Sequence, residues 1–102
     1  MSIPKIQEIE NSLEWKEISA ANITEGSSAT YEEIKKAREV IIVHEKNGAM
    51  LTTTIPKILS DVWIKNQNID IHASMSVNFT NGRVQNGSTS DTNTWIKKII
   101  YR

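Results

Sequence analysis

Apolar and polar positions alternate without a break from Ile69 to Phe79. Ile69, Ile71, Ala73, Met75, Val77 and Phe79 are interleaved with Asp70, His72, Ser74, Ser76 and Asn78. A period of two over such a stretch predicts a half-buried strand with one wet face. A different pattern occupies Glu39-Val40-Ile41-Ile42-Val43-His44-Glu45, where the apolar run is continuous and predicts a strand covered on both faces. Lys46-Asn47-Gly48-Ala49 follows, and Asn-Gly accepts the positive φ angles of a type I′ hairpin turn. Met50 to Ile55 returns as the partner strand and stops at Pro56, which has no N–H to give to a ladder.

Ile58, Leu59, Val62, Trp63 and Ile64 continue the apolar series until Asn66-Gln67-Asn68 interrupts it. Asn81-Gly82 turns the chain into Arg83-Val84-Gln85, Asn86-Gly87 turns or bulges it again, and residues 88–94 read as a polar loop. Trp95 to Arg102 forms a last strand that runs to the final residue. Upstream, Leu13 to Ile18 predicts a first strand, and residues 19–30 read as a loop around Gly26. Thr30 and Glu33 match a capping box, so Tyr31 to Arg38 predicts a short helix or 3₁₀ turn. Ile3, Ile6, Ile9 and Leu13 form a one-sided helical stripe. Three readings fit it: a short helix packed on its own domain, a frayed linker, or the stump of an oligomerising coil.

These elements predict an all-β fold, an antiparallel β-sandwich, jelly-roll-like, of six to eight strands with one short helix. Residues 1–12 form an N-terminal helical or linker segment, and residues 13–102 a single sandwich domain. The expected core comprises Trp15, Ile41, Val43, Leu51, Ile55, Ile71, Met75, Val77, Phe79, Ile99 and Tyr101. Composition agrees. Sixteen Ile and five Val against three Leu give a β-branched majority that packs well on a pleated surface.

Charge and cysteine content narrow the chemistry. Twelve basic and twelve acidic residues cancel, which argues against a nucleic-acid partner or an anionic membrane surface. Cysteine is absent, which removes disulfides, thiolate catalysis and cysteine-ligated zinc, and leaves the redox compartment open. No run approaches the roughly 18 apolar residues of a membrane span, so no membrane insertion is expected. The charged N-terminal residues lack an apolar h-region, and no signal peptide is expected either.

His44 and His72 fall on separate strands, and His72 with Asp70 reads as part of a solvated strand face. Asp91-Thr92-Asn93 begins like a calcium loop but lacks its glycine and distal Glu. No Ser or Thr sits in a glycine-flanked elbow, the carboxylates look like surface charges, and no phosphate-binding glycine loop occurs. The expectation is a non-enzyme with no catalytic residues, no metal and no cofactor. The candidate ligand-binding cluster is Trp63 with Asn66, Asn68 and His72. An exposed indole stacks on the apolar face of a sugar while neighbouring amides bond its hydroxyls. Trp63 also fits a core position, and Trp15 and Trp95 fit one better. The sequons at Asn22, Asn78 and Asn86 carry no weight without a secretion signal.

The order of these features resembles a known family. A Leu13-x-Trp15-x-x-Ile18 opening strand, a Ser/Thr-rich loop, Glu39-Val40-Ile41-Ile42-Val43, Thr54-Ile55-Pro56, a long alternating strand, a polar loop and a terminal Ile99-Ile100-Tyr101-Arg102 follow one another. This resembles the small C-terminal β-domains of tail and baseplate proteins from phages and prophages of Gram-positive hosts. The resemblance covers roughly residues 13 to 102. It implies a β-sandwich that usually trimerises, carried on a virion tail assembled in the host cytoplasm, which bears or flanks the receptor-binding surface. The expected partners are then further copies of the chain, a homotrimer above all, other tail proteins, and a host-surface glycan or protein. The chain departs from the pattern in having its own Met1 and a single domain, so an accessory tail protein of related fold fits equally. Competing readings are a free-standing carbohydrate- or protein-binding module and a small enzyme or enzyme inhibitor.

Overall fold

In the computed structural model, residues 14–19 and 21–102 are described. The predicted helical stripe at residues 3–13, and the separation of residues 1–12 from the domain, lie outside them. Among the described residues eight strands occur: β1 (Lys16–Ile18), β2 (Ser28–Thr30), β3 (Glu39–Lys46), β4 (Ala49–Pro56), β5 (Ile64–Lys65), β6 (Ser74–Asn78), β7 (Arg83–Asn86) and β8 (Thr94–Tyr101). They pair into two four-stranded sheets, ordered β1-β8-β3-β4 and β2-β7-β6-β5, and every pairing is antiparallel. The fold is an all-β sandwich. Its chain ends nest as in a jelly roll, β1 beside β8 and β2 beside β7, whereas β3 and β4 remain a local hairpin.

That hairpin follows from its turn. Asn47 and Gly48 both hold positive φ, 51° and 85°, as a type I′ turn requires. The ladder then runs in register from Lys46↔Ala49 to Glu39↔Pro56. Between the sheets lie Val40, Ile42, Ile55, Ile96 and Ile99 from one side and Met75, Val77 and Val84 from the other. Ile23, Ile34, Ala37, Ile69, Ala73 and Phe79 complete the core from the connections and the residue after β6. The ladder between β3 and β8 shifts register between Val43 and His44: Val43 faces Lys98 and His44 faces Ile96. The extra residue, Lys97, lets Ile96 and Ile99 both point inward although they stand three apart.

Of the six polar residues buried among those described, Asn86 and His44 are the largest. Asn86 joins the sheets: its Nδ2 donates to the carbonyls of Ile23 (3.0 Å) and Thr94 (2.9 Å), and its Oδ1 accepts from Ser88 N–H (3.1 Å). His44 is fully buried, and neither ring nitrogen has a hydrogen-bond partner among the described residues. Burial pushes its pKa down to about 4, because a charged ring would lose its water.

Several expectations are corrected. Of the alternating stretch 69–79, only Ser74–Asn78 is a strand; the residues before it turn, and Ile71 is 70% exposed. No α-helix forms at residues 30–38. Thr30 ends β2, and Glu32–Lys36 is a 3₁₀ turn with no side-chain cap bond, which buries Ile34. Of the two forms expected for residues 31–38, the 3₁₀ turn is the one that occurs, and among the described residues two further 3₁₀ turns lie at Lys57–Leu59 and Ser90–Thr92. The loop expected at 19–30 contains β2 and the bridge of Ile23 to Ile96. Trp15 and Trp95 are not core residues: a cation covers each ring, Arg102 at 4.1 Å and Lys97 at 4.4 Å from the ring centroids. Ile41, Leu51 and Tyr101 are half-buried.

Candidate binding site

Trp63 reaches the second sheet at Gly87, just after β7, where Ser74 at the start of β6 is also close. The chain there is tied tightly. Gly87 N–H donates to the Ser74 carbonyl (2.9 Å), Ser74 N–H donates to Ser88 Oγ (3.2 Å), and Asn86 Oδ1 holds Ser88 N–H from beneath. The Trp63 ring lies against the bare Cα of Gly87, and 53% of the residue remains exposed. The result is an aromatic ledge seated on a tightly hydrogen-bonded stretch of backbone.

Beside the ledge is a recess of about 160 Å³ lined by Lys65, Ile71, His72, Ala73, Ser74 and Thr89. Two side-chain-to-backbone turns precede β6, and the second carries the lining residues Ile71 and His72. Asn66 Oδ1 accepts from Asn68 N–H (3.1 Å), and Asp70 Oδ1 accepts from His72 N–H (2.9 Å). Each such bond offers the backbone an alternative to ladder pairing. Asp70 is also ion-paired with Lys46. The Lys46 hydrogen bond above all, and then the His72 N–H, hold its carboxyl below the usual range. Asp70 thereby anchors the turn that presents Ile71 and His72 to solvent.

Of the four residues expected from sequence, Trp63 and His72 converge on Ser74. Asn66 instead faces the first sheet, where its Nδ2 donates to Thr53 Oγ1 (2.7 Å) and the Thr52 carbonyl (3.4 Å). Asn68 is exposed in the same turn, and no hydrogen bond joins it to Trp63. Sequence reasoning missed Ser74, Gly87, Ser88 and Thr89. Asn86-Gly87 was the available signal, but it pointed to a turn and not to a seat for an indole. The polar groups and the exposed ring together can stack a sugar ring and bond its hydroxyls. Among the described residues no group of three or more His, Asp or Glu is gathered to hold a metal, and no helix is long and apolar enough to cross a membrane.

Compared with known proteins, the chain matches no protein-family model, no curated protein and no solved structure. What defines its class is the architecture itself, two four-stranded antiparallel sheets with an aromatic ledge on one of them.

Proposed function

We propose that the chain is a non-catalytic attachment module of a phage or prophage tail or baseplate, which binds a host-surface glycan at the Trp63 ledge. The carrying observation is the half-exposed indole seated on Gly87 beside a polar recess. A large aromatic left in water costs hydrophobic free energy that a ligand stacked on it would recover. The resemblance supplies the setting. Thr54-Ile55-Pro56, which ends β4, and Ile99-Ile100-Tyr101, which ends β8, are two of the segments on which that resemblance rests.

Each ledge alone is a shallow, weak site. Copies repeated around a three-fold axis and joined to other tail proteins add avidity without a single tight contact. The test is a glycan array probed with the wild type and Trp63→Ala. The proposal expects binding to at least one glycan of a Gram-positive cell wall, weakened at least tenfold by the substitution. Binding that survives Trp63→Ala in a folded protein overturns the ledge. A strict monomer by light scattering at tens of micromolar overturns the trimer.

A further inference from the structure

A second aromatic recess, of about 180 Å³, opens where the β3–β4 turn meets the start of β8. Trp95 is 38% exposed there and stands opposite Glu45 in the ladder. The bulge at Lys97 brings that ammonium over the indole and within 3.9 Å of Glu45 Oε2, with Asn22 Oδ1 at 3.3 Å. From the two loops, Asn47 and Asn93 face one another, both with left-handed backbone (φ 51° and 52°), and Asn93 Nδ2 donates to Asn47 Oδ1 at 3.0 Å. Among the described residues this leaves the Asn47 amide N–H groups, the Asn93 Oδ1 and the Glu45 Oε1 without protein partners.

The chemistry of this recess is specific. Donors and acceptors line the recess beside an indole that carries the Lys97 ammonium over its ring, and a vicinal diol offers both to each neighbour. Glu45 and Lys97 cancel in charge, so nothing favours a phosphate or carboxylate. The recess also shares a loop with the first one: residues 88–93 give Thr89 to the Trp63 recess and Asn93 to this one. Four residues span at most roughly 14 Å even when fully extended.

We propose that the Trp95 recess is a second subsite for one neutral sugar ring, placed to receive the same glycan chain as the Trp63 ledge. The shared chain rests on the attachment reading; the subsite itself rests on separate residues. The test follows the indole signals of Trp63 and Trp95 and the side-chain amides of Asn47 and Asn93 by NMR in the ¹⁵N-labelled protein. The titrants are the methyl glycosides of glucose, rhamnose and N-acetylglucosamine, and separately glycerol 3-phosphate. Concentrations reach tens of millimolar, as a weak single-ring site needs.

The expected result is a saturable shift of the Trp95, Asn47 and Asn93 signals with at least one neutral glycoside. Glu45→Gln or Lys97→Met should weaken it at least tenfold and leave the Trp63 response intact. Shifts at Trp95 without Trp63 uphold the subsite and overturn the ledge. Shifts at Trp63 alone overturn the subsite and spare the ledge. A Trp95 response to glycerol 3-phosphate alone overturns the neutral-sugar assignment, and no response at either indole overturns both.

Discussion

Gly87 makes room for the Trp63 ring by having no side chain. A Cβ there would lie 2.5 Å from Cζ3 of the indole and 2.6 Å from Ser74 Oγ. The constraint is one of space, since no positive φ is involved at this glycine. Gly87→Ala should therefore lift the ring and shift the tryptophan emission, at only about 0.5 kcal/mol in urea denaturation, because a half-exposed indole and a serine hydroxyl can move aside. Glycan binding should fall as it does in Trp63→Ala. Unchanged emission together with unchanged binding would show that the ring is not seated on Gly87.

Asn86 provides a second, purely structural, test. Its amide satisfies two carbonyls and one N–H from three segments, all buried with it. Asn86→Ala removes the side-chain partner of Ser88 N–H and of the Thr94 carbonyl, while the Ile23 carbonyl keeps Ile96 N–H at 2.9 Å, at about 1–3 kcal/mol. Asn86→Asp should be no milder, because a carboxylate offers acceptors where donors are needed. Urea melts of the two variants check this, and a loss below 1 kcal/mol in both would contradict the cross-sheet role.

The buried His44 sets a pH dependence. Its ring is neutral when folded, with a pKa of about 4, whereas an unfolded histidine titrates near 6.5. The unfolded chain then binds more protons between these values, so stability rises with pH. Stability is full above pH 6.5 and should fall by about 3 kcal/mol as the pH drops to 4. Asp70 also loses its contribution on acidification, but only below the ordinary carboxylate range, because Lys46 holds its pKa down. Melts at pH 7 and pH 4.5 therefore isolate His44, and His44→Leu should flatten the difference. An equal acid loss in that variant would contradict the assignment.

Much of this architecture is legible in the sequence. Asn47-Gly48 between two β-rich runs marks the central hairpin, and the terminal Ile-Ile-Tyr marks β8. The alternation at residues 69–73 misleads for a definite reason: the Asn66 and Asp70 side chains capture backbone N–H groups, and local turns win over a longer ladder. Period two does not distinguish those outcomes. The exposed Trp15 and Trp95 are hidden differently. Alternation assigns a residue to a face, but the cation that shelters each indole comes from elsewhere: Arg102 from the far end of the chain, and Lys97 by way of a bulge. The site is the least legible part, since Gly87 and Ser74 lie thirteen residues apart and meet only through the β6–β7 pairing.

The most direct test of the attachment reading is binding of the fluorescently labelled protein to intact Gram-positive cells, before and after their wall polysaccharide is stripped. The account predicts that the wild type labels at least one strain, that stripping abolishes the label, and that Trp63→Ala and Gly87→Ala, both folded by circular dichroism, lose it as well. Labelling that persists on stripped cells, or in Trp63→Ala, would contradict it.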